Sequence, residues 1–258
     1  MALYGVLGDI HGNYEALAAV VAALEERGVE RLLCVGDIVG YNADPDDCAE
    51  LLRERYALAI AGNHDLIGTR QLGFERCSNK ARYSLQRTRR KISSATAAWL
   101  KGLPATRLIE DSIALVHGGV RDVQLYMTTP QHIRRNAELL QSDFPAARVC
   151  FFGHSHDQKL YQVDSGAVAE LPPAGTARLE KDRVYFINAG SVDAQRKREH
   201  KLAECAVFDS RDWTVEFMRL AYDAAATEAK AERAGYRIDR FTDWLYRLRR
   251  FSVQSKSV

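Results

Sequence analysis

The stretch LYGVLGDIHGN at residues 3–13 places two polar side chains, Asp9 and His11, directly after an apolar run. The run Leu3–Gly8 has the length and character of a buried strand. An amphipathic helix is predicted after it, from about Asn13 to Arg27, because apolar residues recur there at helical spacing. A strand that ends in polar residues and leads into a helix is typical of a parallel α/β sheet.

The same order repeats along the next part of the chain. Strands are predicted at Arg31–Val35 and Tyr56–Ala61, and a helix that begins with a proline, over Pro45–Arg55, separates them. The β-α-β-α-β pattern predicts a parallel sheet with crossover helices, and therefore the α/β class. With 258 residues, the chain is long enough for one large domain, 1–258, with a well-buried core.

The later part of the chain mixes helices and short strands. A basic helical segment over Ser78–Lys101 belongs to a cap-like region at about 70–103, and its cations either line a cleft or face solvent. From Gln158 to Arg219 short strands follow one another, which predicts a second, more antiparallel sheet. Helices at about 224–250 close the chain. The last of them is amphipathic and basic, and packing on the core is favoured over contact with a membrane.

The composition is that of an ordinary globular protein, with 47% hydrophobic and 27% charged residues. The formal net charge of +2 indicates no general preference for polyanions.

Cys34, Cys150 and Cys205 lie in apolar runs and no pair has CxxC spacing, so we expect buried reduced thiols rather than a disulfide framework or a zinc knuckle. We find no signal-peptide pattern and no apolar run of the ~18 residues that a membrane span needs, which makes the cytoplasm the expected location.

Seven side chains in five short motifs follow apolar runs in the same way. They are Asp9, His11, Asp37, Asn63, His117, His154 and His156. Because ligands of open α/β sheets bind beyond the carboxyl ends of the strands, we expect these side chains to converge. Carboxylate, amide oxygen and imidazole suit Mn, Fe, Zn or Ni better than Ca or a thiolate-loving metal. The set is large enough for two ions, and two adjacent cations can drive hydrolysis.

In this order, the motifs Asp-x-His, Gly-Asp, Gly-Asn-His-Asp, His-Gly-Gly and Gly-His-Ser-His resemble those of the calcineurin-like metallophosphoesterases. The resemblance runs over nearly the whole chain and is to the small bacterial, phosphodiesterase-type members. It implies an αββα sandwich, in which two facing mixed β-sheets are flanked by helices. It also implies a small phosphoester substrate and two divalent metal ions, with Mn expected and Fe, Zn, Ni or Mg compatible.

The resemblance assigns a role to each motif residue. Asp9, His11 and His156 would hold the first metal, Asn63, His117 and His154 would hold the second, and Asp37 would bridge them. A water or hydroxide between the metals would attack phosphorus. His64 would stabilise the developing charge or protonate the leaving oxygen, as a general acid does. Asp65 either caps the next turn or braces His64, and Asn188 is either a site residue or a brace made by backbone hydrogen bonds.

The segment Gly36–Asn42 departs from the better-known relatives, which are phosphoprotein phosphatases and dinucleoside-tetraphosphate hydrolases. Gly40 replaces an aspartate that orients the catalytic histidine, and Tyr41 replaces an arginine that clamps phosphate. The two-pronged guanidinium of an arginine neutralises a doubly charged phosphomonoester, whereas a singly charged phosphodiester needs this interaction less. The departure therefore favours phosphodiester hydrolysis over a phosphomonoesterase that acts on phosphoproteins or nucleotides. It leaves open what orients His64.

Three residues are candidates for contact with the substrate, namely Tyr41, Arg121 and Arg196. Arg121 follows His117 closely, and Arg196 matches an arginine in a Gly-Ser-Val-x-x-x-Arg stretch of similar bacterial proteins. A nucleic acid substrate is compatible with this type of metal site but is not favoured, because the chain shows no aromatic RNA-binding platform and no strongly basic domain. A non-catalytic, protein-binding scaffold is the other alternative, and the presence of all seven ligands and His64 argues against it.

Overall fold

The computed structural model of the protein describes residues 2–194 and 200–246. The strands are β1 (Leu3–Leu7), β2 (Arg31–Cys34), β3 (Leu58–Ala59), β4 (Arg107–Ile109), β5 (Ile113–Leu115), β6 (Val149–Phe152), β7 (Gln158–Asp164), β8 (Ala167–Leu171), β9 (Thr176–Arg178), β10 (Val184–Ala189), β11 (Ala203–Asp209) and β12 (Thr214–Leu220). The helices are α1 (Tyr14–Glu26), α2 (Pro45–Glu54), α3 (Asn63–Gly68), α4 (Asn79–Lys91), α5 (Ser94–Lys101), α6 (Pro130–Asp143) and α7 (Ala224–Arg233). Residues 240–246 are also helical.

Two six-stranded mixed sheets face each other across the core. The first sheet has the order β3-β2-β1-β11-β12-β9, in which β1, β2 and β3 run parallel and the later strands pair antiparallel. The second has the order β4-β5-β6-β10-β7-β8, in which β5, β6 and β10 run parallel. This arrangement confirms the predicted class of two facing mixed sheets flanked by helices.

The side chains of β1 alternate between two cores, as expected of a strand that is buried on both faces. Tyr4 and Val6 belong to the cluster between the sheets, together with Leu115 and Phe151 of the second sheet. Leu7 belongs instead to the cluster that α1 and α2 form on the outer face of the first sheet. A third cluster joins α6 to the outer face of the second sheet. The layers are therefore helices, sheet, sheet and helix.

The prediction that the late strands form a sheet of their own is wrong. Strands β9, β11 and β12 extend the first sheet, whereas β7, β8 and β10 extend the second. The physical reason is that β1 and β6 would each have an unpaired edge, and β11 and β10 supply the missing hydrogen-bond partners. Alternation within a strand does not reveal which edge it joins.

Two predicted elements have different bounds. The helix expected over Ser78–Lys101 is two helices, α4 and α5, because Ser93 caps the second one: Thr96 N donates to Ser93 Oγ at 3.1 Å. The strand expected over Tyr56–Ala61 is limited to β3, since Tyr56 has a φ of 49° and cannot continue a strand.

All five cysteines lie in the described part of the chain and are buried, which confirms the burial predicted for Cys34, Cys150 and Cys205. None of the helices described for this chain combines the length and the apolar character needed to cross a bilayer. Helix α7 confirms the first of the predicted C-terminal helices. The second is described as far as residue 246, and its remaining residues lie outside the described part of the chain.

Candidate metal centre

Five loops carry the seven predicted ligands to one place. Each loop follows the carboxyl end of a strand, β1, β2 and β3 in the first sheet and β5 and β6 in the second. All of these side chains are described; His156 is partly buried and the others are at most 6% exposed. The site therefore draws its polar groups from both sheets and withdraws them almost entirely from bulk water.

One group of ligand atoms consists of Asp9, His11 and His156, whose donor atoms all lie within 4.8 Å of one another. His11 Nε2 is 3.3 Å from His156 Nε2, and His156 Nε2 is 3.5 Å from Asp9 Oδ1. Two imidazole nitrogens and a carboxylate oxygen at these separations can coordinate one divalent cation.

A second group consists of Asp37, His117 and His154, whose donor atoms meet the same limit of 4.8 Å. His117 Nε2 is 3.0 Å from Asn63 Oδ1 and 3.4 Å from Asp37 Oδ1. The other carboxylate oxygen, Asp37 Oδ2, is 3.7 Å from His11 Nε2 of the first group. Asp37 thus turns one oxygen toward each group, which is the arrangement that a bridging carboxylate requires.

The histidines of the second group suit metal binding. His154 Nε2 is buried and has no hydrogen-bond partner within residues 2–194 and 200–246. Burial, together with the charge of His117, lowers the pKa of His154 to about 3, which keeps the imidazole neutral and able to coordinate. His117 Nδ1 donates to Val35 O at 2.7 Å, so that Nε2 faces the site. The residues present therefore fit a metal ion.

Asp37 is ionised at neutral pH. Burial opposes its charge, but the positive charges of His117 and His64 hold the pKa of the carboxyl well below its usual range. Burial likewise opposes the charge of His117, yet the Asp37 carboxylate raises the pKa of that imidazole to about 9. The buried carboxylate and imidazolium compensate each other, and a divalent cation can take the place of the imidazolium proton.

The backbone of these loops adopts an unfavourable conformation at several ligands. Five of them have φ angles between 49° and 66°, in the left-handed region that few non-glycine residues adopt: Asp9, His11, Asp37, His154 and His156. Hydrogen bonds hold this conformation, since Asp9 N donates to Gly36 O at 3.0 Å and His154 N donates to Asp9 Oδ2 at 2.9 Å. Strain of this kind persists where the surroundings over-determine it, and it occurs often at functional sites.

Gly62 lets two of the loops approach closely. A Cβ at this position would lie 2.2 Å from both the N and the Oδ1 of Asp37, so that no side chain fits. Asp65 then ties the same loops together, because its Oδ1 accepts from Ile38 N at 2.9 Å and its Oδ2 accepts from Gly62 N at 2.9 Å. Asp65 therefore caps α3, which is the first of the two predicted alternatives, and joins this helix to the loop after β2.

His64 is 4% exposed and lies beside the first group of ligands. Its backbone N donates to Asp37 Oδ1 at 2.7 Å, and its ring centroid is 4.5 Å from that of His11 and 4.8 Å from that of Tyr41. Gly40 has a φ of +146°, and a Cβ there would lie 2.4 Å from His64 Nδ1. The glycine lets its loop close over His64, and the ring packs between His11 and Tyr41 without the aspartate found in better-known relatives.

The three candidate substrate contacts differ in position. Tyr41 lies at the centre, with its ring centroid 4.7 Å from that of His11. Arg121 is on the loop after β5, but its Nε donates to Asp143 Oδ2 on α6 at 2.9 Å. Arg196 lies outside the described residues. Contact of Arg121 or Arg196 with the substrate stays a prediction. The guanidinium of Arg121 is already paired with the carboxylate of Asp143.

Residues outside the seven predicted ligands also support the site. Ser191 Oγ donates to Asp9 O at 3.0 Å across a separation of 182 residues in sequence. Asn188 Nδ2 donates to Gly153 O at 3.1 Å, which is the bracing role considered for it. The Tyr126 ring packs against the His154 ring of the second group. Local sequence gives no signal for contacts of this kind, because they form only when distant segments meet.

Two facing mixed sheets, with histidines and aspartates grouped on the loops beyond their strand ends, define a metal-dependent phosphoesterase. The sequence model of the calcineurin-like phosphoesterase family matches residues 3–158, and this chain belongs to that family. The matched part includes all seven predicted ligands and His64. Strands β8 to β12, which complete both sheets, follow it in sequence.

Several relatives are similar over almost their full length. An uncharacterized protein of Methanocaldococcus jannaschii is 30% identical over 253 residues, which cover 94% of this chain and 95% of that protein. A crystal structure of a metallophosphoesterase from Sphaerobacter thermophilus has a TM-score of 0.76 at 26% identity, over 94% of this chain and 96% of the other. A hypothetical protein from Pyrococcus horikoshii OT3 shares the fold, with a TM-score of 0.71 at 17% identity over 95% of this chain and 97% of the other.

Proposed function

We propose that the protein hydrolyses phosphodiesters with the help of two divalent metal ions. The observation that carries the proposal is the position of Asp37, whose oxygens lie 3.4 Å from His117 Nε2 of one group and 3.7 Å from His11 Nε2 of the other. A carboxylate between two groups of donors favours a dinuclear centre. Membership of the phosphoesterase family supports a small phosphoester as substrate.

Two sets of side chains would hold the ions and would share Asp37. The first set is Asp9, His11 and His156, and the second is Asn63, His117 and His154. When bound, the ions would activate a water molecule and neutralise the oxygens of the phosphoryl group. We propose Mn²⁺ as the metal because oxygen and imidazole donors suit it, and Fe, Zn, Ni and Mg have compatible preferences.

His64 would act on the leaving group. Donor atoms of His64, His11 and Asp37 lie within 4.8 Å of one another, which places the imidazole at the edge of the proposed centre. Packing against Tyr41 limits the orientations that the ring can adopt. An imidazolium in this position can donate its proton to the leaving oxygen as the bond from phosphorus to that oxygen breaks. The product alcohol then carries the proton away.

The surroundings of the centre favour a diester over a monoester. Among the described residues, the two arginines that contact the loop after β5 or lie on it, Arg76 and Arg121, are paired with Asp122 and Asp143. Tyr41 cannot neutralise a dianion as an arginine fork can. A singly charged diester needs less positive charge from side chains in addition to the charge of the metal ions.

Comparing a diester with a monoester of the same alcohol tests the proposal. Bis(p-nitrophenyl) phosphate and p-nitrophenyl phosphate share a leaving group, so that their kcat/KM values with Mn²⁺, Ni²⁺, Zn²⁺ or Mg²⁺ report the preference directly. We expect the value for the diester to be higher by about tenfold or more, which corresponds to ~1.4 kcal/mol of transition-state binding. A higher value for the monoester would establish the phosphomonoesterase alternative. Bound metal without turnover of either ester would support a protein-binding scaffold.

A further inference from the structure

Tyr126 lies on the loop between β5 and α6, which comprises residues 116–129. Its ring packs against the imidazole of His154 in a tilted arrangement, with the ring centroids 4.0 Å apart and the planes inclined by 35°. The residue is nevertheless 53% exposed. An aromatic ring therefore lies at the rim of the second ligand group and keeps much of its surface in contact with solvent.

The loop that carries Tyr126 is held in place by hydrogen bonds on the N-terminal side of this residue. Gly119 N donates to Asp122 O at 2.8 Å, which closes a tight turn. Arg76 then spans the loop, since Nη1 donates to Asp122 Oδ2 at 2.9 Å and Nη2 donates to Gln124 O at 2.8 Å. A ring held in this way loses little conformational freedom when it binds a ligand, which is the condition for a preorganised contact.

The position of the ring relates it to one part of a phosphodiester. His64 lies with His11 and Tyr41 beside the first ligand group, whereas Tyr126 contacts His154 of the second group. The leaving group is expected beside His64, which would protonate it. The ester group that stays on phosphorus is therefore the one that can reach Tyr126.

Within residues 2–194 and 200–246, the side chains near this rim match a planar, apolar group better than an anion. The nearby guanidinium of Arg76 is paired with Asp122, and that of Arg121 with Asp143. An exposed tyrosine ring offers a π-face, and stacking of a base on such a face contributes about 1–3 kcal/mol in nucleic-acid-binding proteins. Every aryl ring or nucleobase has a face of this kind. Stacking therefore selects for a planar group and not for one particular base.

We propose that Tyr126 forms a stacking subsite beside the metal centre and binds a planar aromatic group, an aryl ring or a nucleobase, on the retained side of the phosphodiester. This inference rests on the proposed phosphodiesterase activity and specifies its substrate class. It makes Tyr126 a determinant of specificity that acts through direct contact with the substrate.

Three diesters with one leaving group test the inference. Methyl, phenyl and thymidine-5′ p-nitrophenyl phosphates all release p-nitrophenolate and differ only in the retained group. With the Mn²⁺-loaded protein, we expect kcat/KM for the phenyl or thymidine ester to exceed that for the methyl ester by about five- to a hundredfold. Tyr126→Leu should bring this ratio close to one, mainly through KM, and Tyr126→Phe should keep it. Tyr56→Leu, at a residue that is 87% exposed and precedes β3, is the matched control and should behave as the wild type.

Each outcome decides between distinct conclusions. A preference for phenyl alone or for thymidine alone supports the subsite and identifies the group it accepts. Equal kcat/KM values for all three esters in the wild type, or a preference that persists in Tyr126→Leu, would overturn the subsite while leaving phosphodiesterase activity intact. Absence of turnover of every diester by the metal-loaded wild type would instead overturn the proposed function, and the subsite with it. If Tyr126→Leu folds poorly, the ratio of kcat/KM between the aromatic esters and the methyl ester in the wild type still tests the subsite.

Discussion

Gly40 and Tyr41 together shape the space that the His64 ring occupies. The absence of a Cβ at Gly40 leaves room for the His64 ring, because an added Cβ would lie 2.4 Å from Nδ1. Tyr41 then packs against the ring at 4.8 Å, and His11 packs against it at 4.5 Å. Ring packing restricts the rotation of the imidazole, and the Asp37 carboxylate, which belongs to the same group of donor atoms, adds an electrostatic attraction.

The role of His64 predicts a dependence on the leaving group. His64→Ala should lower kcat on the order of a hundredfold for a phenyl leaving group, because phenolate needs a proton more than p-nitrophenolate does. The loss should be clearly smaller for p-nitrophenyl esters with the same retained group. Metal content, measured by mass spectrometry, should stay at the wild-type level.

His132→Ala is the control for this substitution, since His132 is a partly buried histidine on α6 and not among the ligands. It should leave kcat for both leaving groups unchanged. Equal losses for the two leaving groups in His64→Ala would contradict a proton-donating role and point to a purely structural one.

The convergence of the candidate ligands could be predicted from sequence, whereas the contacts that support them could not. Asp9, Asp37 and His117 each follow an apolar run, and this local pattern indicates a strand end. Tyr126 has no such pattern, and Ser191 follows the apolar strand β10 but nothing in its own sequence indicates its partner. Ser191 reaches Asp9 across 182 residues, and Tyr126 reaches His154 only because its loop folds over the second sheet.

At the scale of elements, the chain after α7 holds the loop that carries Tyr41. Arg237 Nη1 donates to Tyr41 O at 2.9 Å, and Nη2 donates to Asn42 Oδ1 at 3.0 Å. The same guanidinium is paired with Glu228 on α7, with Nε 2.7 Å from Oε1. Because the guanidinium is planar and its N–H groups point in fixed directions, these hydrogen bonds fix the position and the orientation of the Tyr41 loop relative to α7.

Arg237→Ala should therefore weaken the action of His64 as well as the fold. We expect the free energy of unfolding to fall by ~1 kcal/mol, since the lost hydrogen bonds involve a charged but partly exposed group. We also expect kcat to fall several-fold, more for phenyl than for p-nitrophenyl leaving groups, with metal content retained. Chemical denaturation and steady-state kinetics measure the two effects.

Arg233→Ala, at an exposed arginine of α7, is the matched control and should change neither quantity. In the His64→Ala background, Arg237→Ala should cause no further loss of kcat, because both changes act on one group. Additive losses would show that Arg237 does not act through His64.

The elements with a clear apolar pattern were predictable and those without one were not. Helix α1 shows helical periodicity and strand β1 is a continuous apolar run, and Asn13 caps the helix as expected, accepting from Ala16 N at 3.1 Å. Strands β8 and β9 have no fully buried residue and so no hydrophobic alternation to detect. They form because β7 and β12 offer hydrogen-bonding edges, which is information that lies elsewhere in the chain.

At the scale of the whole molecule, the two sheets together complete the proposed centre. Asp37 and Asn63 follow strands of the first sheet, and His117 and His154 follow strands of the second. The facing arrangement of the sheets was implied by the family resemblance. The pairing of β1 with β11 was not, because it joins Leu3 to Asp209 and depends on the folding of all the chain between them.

Titration of the metal-free protein with Mn²⁺ tests the central claim, a two-metal phosphodiesterase, most directly. The measured quantity is the initial rate of bis(p-nitrophenyl) phosphate hydrolysis per equivalent of added metal, at a protein concentration well above the dissociation constants. We expect a rate that rises to a break at two equivalents per chain, and little activity at any metal concentration in Asp37→Asn. A break at one equivalent, or full activity without metal, would contradict it.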